Sequence, residues 1–206
     1  AMILLDDAQS TAAQPTSRLY EDVLQYWRVL PSDDIDADLA NTKACLTEIS
    51  AALAKGEYVV AAFAYEFGRQ IHKLPIRNAS DEPHPLIEAW SFANFKKLSK
   101  AQVDELISCK LAELNQLEAS QQCAGVLNVC KSLSEEQFTR DIATIQEYIR
   151  NGDSYQINHT YRIHGETYGA PLALYDRLRD RQPGRFGAYV EHRDKYLLSQ
   201  SPELFI

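Results

Sequence analysis

The clearest pattern of hydrophobic and polar positions in this chain lies between Ser134 and Ile163. Phe138, Ile142, Ile145 and Ile149 follow one another at spacings of four, three and four residues. These spacings place the four side chains on one face of an α-helix. The segment therefore predicts an amphipathic helix.

Residues at both ends of this helix predict where it begins and ends. Ser134 is a favoured N-cap residue, and Gln137 three positions later completes the sequence of a capping box. Asn151 and Gly152 both tolerate the left-handed conformation that terminates helices. We expect the helix to span the residues between these signals.

The pattern changes to period two immediately after this helix, from Tyr155 to His164. One set of alternate positions carries mainly tyrosine and isoleucine, and the other carries two amides, a hydroxyl and a guanidinium. This alternation predicts a strand. Such a strand could line a polar cavity, but an ordinary strand with one buried and one wet face is the interpretation that the pattern alone favours.

The remaining pattern predicts three more helices and several short strands. The helices are Asp36–Lys55, Lys100–Glu118 and Pro171–Arg181. The strands are Ile3–Leu5, Arg18–Leu30 as one or two strands, Tyr58–Tyr65 as a central strand buried on both faces, Leu86–Phe95, Ala124–Lys131, a hairpin of Phe186–Glu191 with Tyr196–Gln200, and a strand beginning at Glu203. Residues 68–85 and 165–170 are expected to be irregular.

Mixed elements with short turns predict an α+β fold of mainly antiparallel sheets flanked by helices.

Composition excludes some classes of partner. The chain has 206 residues, of which 45% are hydrophobic and 24% charged, as in ordinary globular proteins. Its net charge of −8 argues against a surface for nucleic acid or anionic membranes. No apolar run reaches membrane-spanning length. None of the four cysteines forms a CxxC pair, so we expect reduced thiols and a cytoplasmic protein.

Three segments together resemble component I of the aminodeoxychorismate synthases, a branch of the chorismate-utilising enzymes. They read Ala-Phe-Ala-Tyr-Glu-Phe-Gly-Arg at residues 62–69, Gly-Asp-Ser-Tyr-Gln-Ile-Asn at 152–158, and Leu-Ser-Gln-Ser-Pro-Glu-Leu-Phe at 198–205. The resemblance extends from about Leu4 to the last residue. The second and third segments are specific in combination, whereas each alone would be weak.

The resemblance implies both a fold and a reaction. Residues 1–206 would form the N-terminal part of a single chorismate-binding domain, an incomplete anthranilate synthase-like fold that stops after Ser-Pro-Glu. In this family chorismate loses its C4 hydroxyl and gains an amino group. A glutamine amidotransferase partner supplies the ammonia, Mg²⁺ binds the substrate carboxylate, and the product serves folate synthesis.

The resemblance assigns two catalytic positions. Glu203 of Ser-Pro-Glu matches the general acid that protonates the departing hydroxyl. Gln156 matches the position where water-using relatives carry a lysine base. A neutral amide cannot deprotonate water, but ammonia needs no such activation. By residue type alone, Glu203 would be a solvated glutamate and Gln156 an ordinary sheet glutamine.

The family also contains a tryptophan site, which is regulatory or structural. Its positions in this sequence are Asp7, Ser17, Leu19, Arg185 and Phe186. The match departs here, because Asp6-Asp7 replaces a Glu-Ser ending and Arg185 stands where proline is common. Ordinary loop and core packing is the alternative interpretation.

Three further expectations concern the family residues that are missing here, Arg69 and His159, and the apolar end of the sequence. The family's lysine nucleophile, its Mg²⁺-binding glutamates and its substrate-carboxylate binders lie downstream of Ser-Pro-Glu, so we expect no metal site here and an inactive chain when isolated. Arg69 is interpreted as a loop charge and His159 as a packed histidine. An apolar edge after Ile206 predicts self-association.

Two alternatives to the leading function remain open at this point. One is anthranilate synthase component I, although Asn158 after Tyr-Gln-Ile is the form usual in the aminodeoxychorismate branch. The other is a non-catalytic amino-acid-binding module built from the same part of the fold.

Overall fold

The computed structural model describes residues 1–72, 74, 84–117 and 123–204, which form two compact units. The first unit comprises residues 1–106 and 179–206, and the second comprises residues 107–178. The helices are α1 (Ile35–Ala54), α2 (Tyr65–Ile71), α3 (Lys100–Leu117), α4 (Glu135–Asn151) and α5 (Pro171–Arg181). The strands are β1 (Met2–Asp6), β2 (Ser17–Glu21), β3 (Val23–Val29), β4 (Tyr58–Phe63), β5 (Ile87–Phe92), β6 (Lys96–Leu98), β7 (Gly125–Lys131), β8 (Ile163–Tyr168), β9 (Phe186–His192) and β10 (Lys195–Ser201).

Strand β1 is the centre of the first unit. The larger sheet has the order β10-β9-β1-β2-β6, and every pairing in it is antiparallel. Ile3 pairs with Tyr20 of β2 on one side and with Val190 of β9 on the other. Ile3 and its neighbour Leu4 are both fully buried, although they point to opposite faces. Strand β1 is therefore covered on both faces and bonded along both edges.

A second sheet, of order β3-β5-β4, packs on one face of the first. Their shared core consists of Ile3, Tyr20, Trp90, Phe92 and Val190. The opposite face of the second sheet packs against α1, in a cluster made of Trp27, Val29, Cys45, Ile49, Ala52, Leu86, Ile87 and Ala89. The first unit therefore has three layers: helix, sheet and sheet.

The second unit contains the β7-β8 ribbon and all of α4. The caps of α4 agree with the sequence: Ser134 Oγ accepts from the Gln137 backbone N–H at 3.2 Å, and Gly152 adopts φ 80°. The Gln137 side chain does not complete the capping box, because its Oε1 accepts from Arg140 Nη2 at 2.8 Å while its Nε2 donates to Asp141. A small apolar cluster of this unit contains Ala124, Ala170, Ala173, Leu111, Leu114 and Leu174.

The α+β class with antiparallel sheets is confirmed, as are the four predicted helices and the β9-β10 hairpin. Helix α5 has the predicted bounds, Pro171–Arg181. Residues 18–30 belong to the two strands β2 and β3. Leu204 and Glu203 are not in a strand, and Phe205 and Ile206 lie outside the described residues.

The strand predicted from Tyr155 to His164 is wrong in its position. Residues 155–162 are irregular, and the strand begins at Ile163 and continues through most of the predicted loop at 165–170. The partner strand explains the difference: β7 ends at Lys131, which pairs with Ile163. The alternating residues before Ile163 therefore have no partner strand within the described ribbon.

The prediction that Tyr58–Tyr65 forms a central strand buried on both faces is also wrong. Strand β4 ends at Phe63 and lies at the edge of its sheet, with β5 in the middle. Its side chains are exposed or half-buried, whereas five of the six residues of β5 are buried. Tyr65 begins helix α2, which extends into the segment predicted to be irregular.

A buried ion pair joins two distant parts of the first unit. Arg179 near the end of α5 donates through Nε to Asp6 at the end of β1, and the two side chains are only 6% and 4% exposed. Arg179 also donates to the more exposed Asp104 of α3 at 2.5 Å. Burial opposes the charge of Asp104, but hydrogen bonds from Lys100 and Arg179 outweigh it and hold the pKa of Asp104 below its usual value.

We predict that Arg179→Met lowers the free energy of unfolding by about 3–5 kcal/mol, because the substitution leaves the Asp6 carboxylate buried without its cation. Urea denaturation followed by circular dichroism measures the change. Arg185→Met is the matched control, since Arg185 Nε lies 3.7 Å from Asp7 with a side chain that is 55% exposed. Its expected cost is at most about 1 kcal/mol. Equal losses in the two variants would contradict the importance of the buried pair.

Candidate functional site

Glu203 lies just after β10, the edge strand of the larger sheet. Its backbone carbonyl accepts a hydrogen bond from Ser201 Oγ at 2.9 Å, so the Ser-Pro-Glu segment leaves the strand in a tight bend. The Glu203 residue is exposed within the described part of the chain. The carboxyl group is therefore accessible to a molecule that approaches this end of the sheet.

Gln156 lies in the irregular segment that follows α4. The hydroxyl of Ser154 donates to the Gln156 carbonyl at 2.9 Å, which fixes the backbone. The side-chain amide of Gln156 donates through Nε2 to Asn158 Oδ1 at 3.3 Å. Both side chains are exposed. Asn158 thus orients the Gln156 amide, which a hydrocarbon side chain at position 158 would not do.

The two predicted catalytic residues belong to different units, Glu203 to the first and Gln156 to the second. Each can be assigned chemistry by itself. The carboxyl of Glu203 can donate a proton, as a general acid must. The amide of Gln156 donates and accepts hydrogen bonds but does not titrate, so it can position a nucleophile without deprotonating it.

Asp7, one of the predicted effector residues, is tied to its own loop. Its Oδ2 accepts from the Thr16 hydroxyl at 2.7 Å, and its Oδ1 accepts from the Gln9 backbone N–H at 2.9 Å. The Asp7 backbone N–H donates to Ser17 Oγ at 3.0 Å. These three hydrogen bonds fix Asp7 within the segment from Asp7 to Ser17.

Arg185 and Phe186 extend the same cluster. Arg185 Nε lies 3.7 Å from Asp7 Oδ1, and the guanidinium lies 5.9 Å from the centre of the Phe186 ring. Leu19 is buried on β2, two positions after Ser17 and on the same face of the strand. The structure therefore brings four of the five predicted effector residues into one cluster: Asp7, Ser17, Arg185 and Phe186. Tryptophan binding at this cluster stays a prediction.

Sequence reasoning missed three buried polar residues beside this cluster: Asp6, Ser10 and Arg179. Ser10 Oγ donates to the Leu98 carbonyl at 2.7 Å and accepts from the Thr16 backbone N–H at 2.8 Å. Alternation with Met2 and Leu4 could have placed Asp6 inside the strand. No sequence signal pairs it with Arg179, which is 173 positions away.

Other sequence expectations concern metal ions, membranes and His159. Within residues 1–72, 74, 84–117 and 123–204, no three His, Cys, Asp or Glu side chains are grouped to hold a metal ion. The described residues thus do not fit a Mg²⁺ site, which needs oxygen ligands. None of the described helices has the length and apolar character needed to cross a membrane. His159 lies against Phe138, with ring centres 5.5 Å apart.

Comparison with known proteins gives one consistent family. The model of the chorismate binding enzyme family matches residues 9–206. An anthranilate synthase component 1 from Haloarcula marismortui is 26% identical over 150 residues, which are 73% of this chain and 24% of that protein. An aminodeoxychorismate synthase component 1 from Bacillus subtilis is 28% identical over 113 residues, or 50% of this chain and 24% of that protein.

A third relative is the aminodeoxychorismate synthase component 1 of Escherichia coli, which is 31% identical over 75 residues, or 36% of this chain and 17% of that protein. The chain thus matches less than a third of the length of each of these relatives. The names of these three relatives include both anthranilate synthase and aminodeoxychorismate synthase. Because the family model matches nearly the whole sequence, the chain belongs to the chorismate-binding enzyme family.

Proposed function

We propose that this chain is part of an enzyme that aminates chorismate at C4 to give 4-amino-4-deoxychorismate. In this reaction ammonia forms a bond to C4, the C4 hydroxyl leaves, and one water molecule is released. The observation that carries the proposal is the family match across residues 9–206, which includes both the Tyr-Gln-Ile-Asn and the Ser-Pro-Glu segments. The proposal applies to the intact protein that contains this chain.

Glu203 acts in this proposal as the general acid. Hydroxide is a poor leaving group, so a proton must reach the C4 oxygen as the bond breaks. The accessible carboxyl after β10 is available to a substrate at that end of the sheet. Gln156 lies beside the incoming nucleophile and holds it by hydrogen bonding. The hydrogen bond from Gln156 Nε2 to Asn158 Oδ1, 3.3 Å long, favours the orientation of the amide.

Ammonia and magnesium are supplied from outside the described residues in this proposal. A glutamine amidotransferase subunit or domain would release the ammonia, and a Mg²⁺ ion held by residues outside this part of the chain would neutralise the substrate carboxylate in the intact protein. The described residues do not fit the metal, so we assign no step to it. The roles proposed for this chain are those of two residues taken separately: Glu203 donates the proton, and Gln156 holds the nucleophile.

Anthranilate synthase component I is the second candidate, since relatives with that name match the chain. The Gln156–Asn158 contact favours the first candidate, because it uses the asparagine typical of the aminodeoxychorismate branch. Incubation of the intact protein with chorismate and ¹⁵N-ammonium separates the two. The first candidate gives a product that contains ¹⁵N and retains the enolpyruvyl group, whereas anthranilate has lost that group. Formation of anthranilate alone would refute the first candidate.

We predict that Glu203→Gln in the intact enzyme lowers kcat by about 10²–10⁴-fold, because the amide cannot protonate the leaving hydroxyl. KM for chorismate should change little, since the shape and hydrogen-bonding capacity of the side chain are kept. Glu191→Gln, on β9 of the same sheet, is the control and should keep full activity. Steady-state kinetics on both variants measure the difference. Equal activity of the two variants would remove Glu203 from the mechanism.

We also predict that Gln156→Lys in the intact enzyme produces a hydroxylated compound beside the amine. Substrate carboxylates favour the charged form of a lysine at this position, whereas desolvation by bound chorismate lowers its pKa; where desolvation prevails, the neutral amine acts as a base toward water. A general base contributes about 10²–10⁴-fold, which makes even a minor product measurable. Mass analysis of the products detects it.

Gln156→Ala is the matched control, because it removes the amide without adding a base. It should give no hydroxylated product. Equal hydroxylation by both variants would show that Gln156 does not face the nucleophile. The same conclusion would follow if Gln156→Lys bound chorismate but gave no hydroxylated product.

A further inference from the structure

A cavity of about 330 Å³ lies in the first unit, between the second sheet and the β9-β10 hairpin. This volume is in the range of small-molecule sites, about 300–1,000 Å³. The cavity is remote from the Asp7 cluster. That cluster adjoins the end of β9 where Gly187 pairs with Asp6, whereas the cavity reaches His192 at the opposite end, beyond the pairing of Glu191 with Met2.

Three rings in mutual contact form one wall of the cavity: Tyr26 of β3, Trp90 of β5 and His192 of β9. Tyr26 and His192 are stacked with ring centres 4.3 Å apart, and Trp90 lies 5.8 Å from Tyr26 and 5.9 Å from His192. Each ring is on a strand, so the wall is held by sheet backbone. It presents an aromatic surface to any molecule in the cavity.

The wall contains buried nitrogen atoms that lack hydrogen-bond partners. Trp90 is only 3% exposed, and its Nε1 has no partner among the described residues; neither ring nitrogen of His192 has one. The indole of Trp27 provides the contrast, since its Nε1 donates to Glu48 at 2.8 Å. An unpartnered buried polar group destabilises a fold by about 1–3 kcal/mol. Binding of a molecule with acceptor oxygens would remove this cost.

Charges around the cavity favour an anion. Glu88 is already neutralised, because it accepts from the Tyr26 hydroxyl at 2.6 Å and lies 3.8 Å from Arg28. Burial, followed by the hydrogen bond to Glu88, raises the pKa of Tyr26 to about 12, so Tyr26 remains a donor. The lining also includes His84, Arg193, Asp194 and Lys195, and its three Arg and Lys against two Asp and Glu side chains give a formal charge of +1. The lining is cationic on a chain whose net charge is −8.

His192 supplies a neutral donor and acceptor at this wall. Burial lowers its pKa, and the positive charges of Arg193 and of the amino terminus lower it further, whereas Glu88 opposes them. The ring is therefore uncharged at neutral pH, with one nitrogen that donates and one that accepts. Trp90 Nε1 can only donate. A ligand with at least one acceptor oxygen would therefore satisfy the donors of Trp90 and His192.

We propose that this cavity binds a small planar organic acid, with its ring against the Tyr26–Trp90–His192 wall and its carboxylate accepting hydrogen bonds from Trp90 Nε1 and His192. The nitrogen atoms are covered in the described structure. Binding therefore requires the ring of His192, the last residue of β9, to turn aside so that the ligand reaches these atoms. The proposal is independent of the amination of chorismate, because it uses neither Glu203 nor Gln156.

Benzoate is a suitable probe, and the two tryptophans allow a direct readout. In ¹⁵N-labelled protein the indole region of a ¹H–¹⁵N correlation spectrum contains one signal from Trp27 and one from Trp90, assigned with Trp27→Phe and Trp90→Phe. Benzoate should shift the Trp90 signal downfield in a saturable manner and leave the Trp27 signal unchanged. Benzylamine, which has the same ring and a cation, should produce no saturable shift.

Substitution of the histidine tests the carboxylate contact. His192→Phe keeps a ring against Tyr26 but removes the hydrogen bond, so the affinity for benzoate should fall about five- to tenfold. His159→Phe replaces a histidine of the other unit and should bind benzoate as the unchanged chain does. An unchanged Trp27 signal in both variants verifies that the first unit is folded.

Several results would overturn the proposal. They are no shift of the Trp90 signal by benzoate in the unchanged chain, equal shifts of both indole signals, or an equal response to benzylamine. Equal affinity of the His192→Phe and His159→Phe variants would remove His192 from the site. Each of these results is read from the same two indole signals.

Discussion

The first unit depends on the hydrogen bonding of β1 along both of its edges. Strand β2 follows it directly, but β9 is supplied by residues 186–192, so the sheet closes only when distant parts of the chain meet. Its side chains are buried on both faces, and its last residue, Asp6, is carried into the interior. That burial requires a cation, which Arg179 provides. The sheet and the ion pair thus depend on each other.

The proposed chemistry depends on the difference between an amide and a base. An amide at position 156 can hold ammonia but cannot activate water, so the choice of nucleophile follows from a side chain that does not titrate. The contact of Gln156 with Asn158 makes that amide directional. In the proposed reaction Glu203, just after β10, supplies the proton for the departing oxygen.

Local signals in the sequence predict the helices well, because caps such as Ser134 and Gly152 act within a few residues. They predict the strands less well, because a strand needs a partner that the local pattern does not reveal. Residues 155–162 alternate as a strand does, yet β7 pairs only from Ile163 onward. The apolar run of β4 looks central, but it lies at a sheet edge. For the candidate site, the resemblance supplied Glu203 and Gln156, whereas the Asp6–Arg179 pair and the ring wall arise only from tertiary contacts.

A structure of the intact protein with chorismate bound tests the central claim most directly. The claim is that Glu203 protonates the departing C4 hydroxyl and that Gln156 holds the nucleophile. It predicts a Glu203 carboxyl oxygen about 2.6–3.2 Å from the C4 hydroxyl, and the Gln156 amide within hydrogen-bonding distance of the position from which ammonia attacks. A structure with the Gln156 side chain turned away from C4, or with Glu203 out of contact with the hydroxyl, would contradict the account.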